Sequence, residues 1–133
     1  MVMPALRWGR IVLGGVTGEL LLIAAVIPLY AFAASQAAIT VLAVAGSFVA
    51  FVPVAWWLAR SLSRPILHGV LMGAAAAAIY MALTVLGALF VADAPPVPAI
   101  YYVGHALKLA GGACGGWLAS RSAAAAAVAP SRV

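Results

Sequence analysis

Four long stretches of this chain carry almost no charge, and only short breaks separate them. They cover about 11–34, 37–59, 65–89 and 99–119. At a rise of 1.5 Å per residue, each is long enough as a helix to cross a hydrocarbon layer of roughly 30 Å. Helices that are apolar on every face need lipid or a large core to cover them. Only 7% of the 133 residues are charged, against about 25% in a soluble domain. That excludes a soluble fold. The expected architecture is an all-α integral membrane protein. A single four-transmembrane-helix bundle fills residues 1–120, and a short Ala-rich tail follows over 121–133.

The breaks support this division. Ser35-Gln36 is a very short connection, and Ser61-Leu62-Ser63-Arg64 joins the second and third runs. Pro65 suits the first turn of a helix, where its missing N–H is not needed. Pro28 and Pro53 are expected to bend the first and second helices. The longest loop, Val91 to Pro98, contains three prolines that cannot continue a helix. A signal peptide is a rival reading of the start, with Arg7 and Arg10 before the apolar run and Ala31-Phe32-Ala33 as cleavage site. The run is too long for that, and Glu19 interrupts it.

The arginines orient the bundle. Seven Lys+Arg face two Asp+Glu, a balance that in a soluble chain would point to nucleic acid. Here the arginines sit at the ends of apolar runs, so the bilayer is the expected partner and nucleic acid is not. With four spans, Arg7, Arg10, Arg60, Arg64, Arg121 and Arg132 share one side, and Asp93 lies on the other. The positive-inside rule then places both termini in the cytoplasm of a multi-pass cell-membrane protein. All four Trp lie at the arginine-bearing ends, and Tyr30, Tyr101 and Tyr102 at the opposite ends, as two interfacial belts. Arg10-Ile-Val-Leu-Gly-Gly-Val16 resembles Arg64-Pro-Ile-Leu-His-Gly-Val70, so the chain can be read as a duplicated helical hairpin with its axis along the membrane normal.

The fourth run has two faces. At roughly 100° per residue, Tyr101, Gly104, His105, Lys108, Gly111, Gly112, Gly115 and Ala119 fall on one side. Val103, Leu107, Leu109, Cys114, Trp117 and Leu118 fall on the others. Gly111/Gly115 and Gly112/Gly116 are two overlapped GxxxG spacings, a pattern that lets helix backbones approach closely in lipid. Gly15 and Gly18 in the first run and Gly69 and Gly73 in the third are expected to pack in the same way.

Polar groups are few. Glu19 and Lys108 are the only Glu and the only Lys, both inside apolar runs. Counted from the arginine end they differ in depth by roughly 6 Å, within reach of a Lys side chain, so they are natural partners. The pair is expected to fix the packing of the first helix on the fourth, or to form a proton or cation site. His105 lies one turn from Lys108 and is expected to bond a backbone carbonyl or relay a proton. Tyr80, in mid-span, needs an acceptor and could join the network. His68 differs from His105 in depth by something like 18 Å, so the two cannot share one metal or haem, and His68 is read as an interface residue. Cys114 has no basic neighbour and is read as inert packing. No motif for catalysis, phosphate or metal is present; no enzyme activity, cofactor or metal is expected.

In outline the layout resembles the small multidrug transporters: four short spans, an acidic residue in the first and a Gly-rich fourth that could dimerise. The segment Gly15-Val-Thr-Gly-Glu19-Leu-Leu-Leu22 does not match that family's sequence around the acid, and Lys108 departs from its pattern. The resemblance is one of layout. The expected function is that of a small polytopic protein acting through helix packing, as a homo-oligomer or an accessory subunit of a larger membrane complex. The alternative is a proton-coupled small-solute transporter or channel centred on Glu19.

Overall fold

The computed structural model describes residues 5–32, 35–90 and 97–128. Asp93, Arg132, Ala33 and most of the Val91–Pro98 loop fall outside them. Four helices account for nearly all of the described chain: α1 (Trp8–Ala31), α2 (Gln36–Ala59), α3 (Pro65–Phe90) and α4 (Ile100–Val128). There is no sheet among the described residues. The helices α1, α2 and α3 are long and apolar enough to cross a membrane, and mark a membrane protein.

Local sequence sets the ends. Ser35 is the N-cap of α2, in an extended conformation, and its hydroxyl accepts from the Ala38 N–H. Pro65 opens α3. Pro28 and Pro53 lie inside continuous helices and end neither. The fourth helix runs on past the expected span, through Ser120 to Val128, because the alanine run keeps high helix propensity. α4 is not among the three helices that qualify as spans by length and composition. His105, Lys108, Arg121 and five glycines make it the most polar of the four.

The helices form a four-cornered bundle with α1 and α4 on opposite corners. α2 and α3 each pack on both of them and touch each other, whereas the α1 and α4 backbones do not approach one another among the described residues. α1 and α4 thus stand diagonally, linked side chain to side chain by Glu19 and Lys108. The two hairpins also pack unequally, since the α2 and α3 backbones approach one another and those of α1 and α4 do not.

Most of the core lies in the half of the bundle that carries the arginines. Phe51, Ile11, Met72 and His68 are its largest fully buried side chains, with Val54, Ala55 and Leu58 beside them. Glycines bring the backbones together there. A Cβ at Gly14 would meet the Met72 side chain, one at Gly15 the α3 backbone at Ala76, and one at Gly18 the Phe51 ring. The other half of α1 and α3 is exposed: Ile27 and Leu83 keep 60% and 62% of their surface. Close contact in one half and exposed residues in the other leave a V-shaped cleft between α1 and α3.

The arginine end is also knitted by hydrogen bonds. Arg10 donates to the Leu58 carbonyl (3.2 Å) and to the Ser61 hydroxyl. It thereby satisfies one of the carbonyls left open at the C-terminus of α2. His68 Nε2 accepts from the Arg7 N–H (3.2 Å), and Nδ1 lies 2.8 Å from the Arg64 carbonyl. Those two partners require a neutral ring with its proton on Nδ1. Arg60 lies over the Trp56 ring and Arg121 over Trp117.

Candidate functional site

The buried face of α4 consists of Gly104, Lys108, Gly111, Gly112, Gly115, Gly116 and Ala119, with Tyr101 and His105 half-buried at its margin. The glycines divide between two neighbours. Gly111 and Gly115 lie against the α2 backbone at Phe48 and Val52, and Gly112 and Gly116 against the α3 backbone at Gly69 and Pro65. Gly73 lies against the α4 backbone at Lys108. Gly104 differs from the rest, because a Cβ there would stand at ordinary contact distance from the Ser47 hydroxyl. Both GxxxG spacings are thus engaged inside the chain. Gly14 belongs with the packing glycines too. Its signal was Gly14, Gly15 and Gly18 on one face of the first run.

Because α4 presents this stripe inward between α2 and α3, Lys108 points across the bundle at α1. Its Nζ donates to Glu19 Oε1. The side chains are 3% and 13% exposed. Neither residue could be bare at this depth, since an unpaired charge in low dielectric is costly. Lys108 Nζ also stands 5.2 Å from the centre of the Tyr80 ring, where the ring's negative face attracts a cation. The other face of the cluster is aromatic. His105 packs on Tyr80 at 4.8 Å, and Tyr101 stacks on Tyr80 at 6.2 Å.

Glu19, Lys108, Tyr80 and His105 are therefore gathered into one cluster contributed by α1, α3 and α4. The bond expected for His105 is not made: both ring nitrogens are buried without a hydrogen-bond partner. The rings of Tyr80 and Tyr102 flank the imidazole. Tyr80 joins through its ring. Cys114 is half-buried and free.

Glu19, Lys108 and Tyr80 of this cluster line the floor of the V between α1 and α3. The cleft has a volume of about 520 Å³ and extends from Glu19 to Tyr30 along α1, with Ile79 to Thr84 of α3 opposite, and Ala43 and Lys108 beneath. Its walls are apolar apart from the pair at the floor, the hydroxyls of Tyr80 and Thr84, and Tyr30 at the far end. Thr84 donates its hydroxyl proton to the Tyr80 carbonyl (2.9 Å). A mostly apolar recess with a few convergent polar groups is the usual form of a small-molecule site.

Comparison with known protein families, with curated proteins and with solved structures finds no match for this chain.

Proposed function

We propose that this chain is a four-span protein of the cell membrane with both termini cytoplasmic, and that it acts as a proton-coupled small-solute carrier or channel centred on Glu19. One observation carries the reading: Glu19 lines a cleft of about 520 Å³, so a guest can reach the carboxylate without unpacking the bundle. A carboxylate paired with an ammonium group in low dielectric can exchange a proton or bind a guest by sharing or breaking that pair. α4 completes the bundle as a fourth span because its charge is paired inward and its glycines are packed. The arginine distribution supports the orientation.

A second reading is a packing role, as a homo-oligomer or an accessory subunit of a larger membrane complex. It is favoured by the enclosure of Lys108, at 3% exposure, which suits a static pair. The glycines of α4 are occupied within the chain, so such an assembly would use the exposed apolar faces of α1 and α3.

Chemical access separates the two. In a Cys114→Ala, Lys108→Met background, Glu19→Cys in membrane vesicles should react with a permeant maleimide. Ser47→Cys, at a position only 3% exposed, should not. A Glu19→Cys thiol as unreactive as the one at position 47 would shift the conclusion to the packing role.

A further inference from the structure

The charge balance of the cleft restricts what it can hold. Glu19 and Lys108 neutralise one another, and no other charged residue lines the space among the described residues. A cationic or anionic guest would bring an uncompensated charge into low dielectric, which is unfavourable in either sign. The walls ask for an apolar body. The opening faces sideways, because Ile23, Ile27 and Leu83 on its rim are all at least half exposed. On helices that cross a membrane that rim meets hydrocarbon, so the guest comes from the lipid phase. The cleft follows α1 for roughly 16 Å, counted as eleven residues from Glu19 to Tyr30.

The polar atoms at the floor define the head group. Glu19 Oε1 accepts from Lys108, and among the described residues Oε2 receives no hydrogen bond, so it is free to accept. The Thr84 oxygen, its proton already given to the Tyr80 carbonyl, can only accept. A hydroxyl can donate to the free Glu19 oxygen.

We infer that the cleft between α1 and α3 binds an uncharged, chain-like amphiphile with a single hydroxyl. The hydroxyl donates to Glu19 at the floor, and the chain lies along α1 toward Tyr30. The inference rests on reading the cleft as a binding site.

The probe is a hexadecanol bearing a diazirine in its chain, offered to the full chain in phosphatidylcholine nanodiscs. Photolabel should concentrate on peptides covering Leu22 to Tyr30 and Ile79 to Thr84, and Val26→Trp, which fills the cleft, should remove it. Unlabelled hexadecanol should compete at least about tenfold better than hexadecyltrimethylammonium or hexadecyl sulfate, whose charges cannot be titrated away. Lys108→Met, which leaves Glu19 unneutralised, should turn that preference toward the ammonium compound. In the native chain, stronger competition by either charged amphiphile would overturn the neutral class and leave the binding cleft standing. Label spread evenly over the lipid-facing helices, or unchanged by Val26→Trp, would overturn both.

Discussion

Gly69 of α3 and Gly112 of α4 meet backbone to backbone: a Cβ built on either one collides with the carbonyl oxygen of the other. No side chain lies between them to yield, so α3 and α4 have no means of adjusting to a larger residue short of moving apart. This contact and those of Gly111 and Gly115 with α2 set how deeply α4 sits, and hence how far Lys108 can reach toward α1.

The first prediction follows from that contact. Gly69→Ala and Gly112→Ala should each destabilise the bundle by about 1–3 kcal/mol or more, the usual cost of overpacking. Gly87→Ala is the matched control, since nothing lies within 4 Å of a Cβ there. Gly104→Ala should also be mild. Thermal midpoints in one detergent measure all four. Helix propensity alone would favour alanine at every one of these positions, so an equal effect at Gly87 and Gly112 would show that close approach does not govern them.

The two-faced character of α4 could be read in the sequence because a single helix has a fixed angular period, and eight residues of one stripe needed only that period to be placed together. Depth was also readable, because rise per residue is constant; it put Glu19 and Lys108 at similar levels. Which helices touch was not readable. Rise and angular period describe one helix at a time, and nothing in them tells that α1 and α4 stand on opposite corners with the pair spanning the gap. The cleft was hidden for the same reason: it depends on α1 and α3 meeting at Gly14 and Gly15 and parting beyond Glu19. The role of His68 depends on the N-cap of another helix, 61 residues away, and no local pattern marks it.

A second prediction concerns that histidine. With Nδ1 donating to the Arg64 carbonyl and Nε2 accepting from the Arg7 N–H, nitrogen NMR of selectively labelled protein should show His68 as the Nδ1–H tautomer. His68→Leu keeps the volume but leaves the Arg7 N–H unpaired, at a cost of about 1–3 kcal/mol. Amide exchange at Arg7 should quicken in that variant. An Nε2–H tautomer in the native protein would contradict the bridge between α1 and α3.

A third prediction tests orientation. With Cys114 replaced by Ala, Ala99→Cys should be labelled by an impermeant thiol reagent applied outside intact cells. Ser63→Cys, in the connection between α2 and α3 and flanked by Arg60 and Arg64, should be labelled only after the membrane is opened. The reverse pattern would invert the topology.

The final prediction concerns the diagonal pair itself. Lys108 is enclosed and Glu19 nearly so, and removing either partner strands the other in low dielectric. Breaking a buried pair in this way costs about 3–5 kcal/mol, a large share of a typical stability of roughly 5–15 kcal/mol. Glu19→Gln and Lys108→Met should therefore each lower the thermal midpoint in detergent. Their combination should recover much of the loss, because an amide facing a thioether leaves no charge to compensate. Since the α1 and α4 backbones do not approach one another among the described residues, the recovery reports on the pair and not on close backbone packing between them. A double variant that loses the sum of the single losses would show that the two side chains are not energetically coupled. The same variants also address function. For a carrier, the double variant should be stable yet inactive, having lost proton-coupled flux in reconstituted vesicles together with the carboxylate. A stable double variant that kept its flux would remove Glu19 from the transport step and leave the pair a structural one.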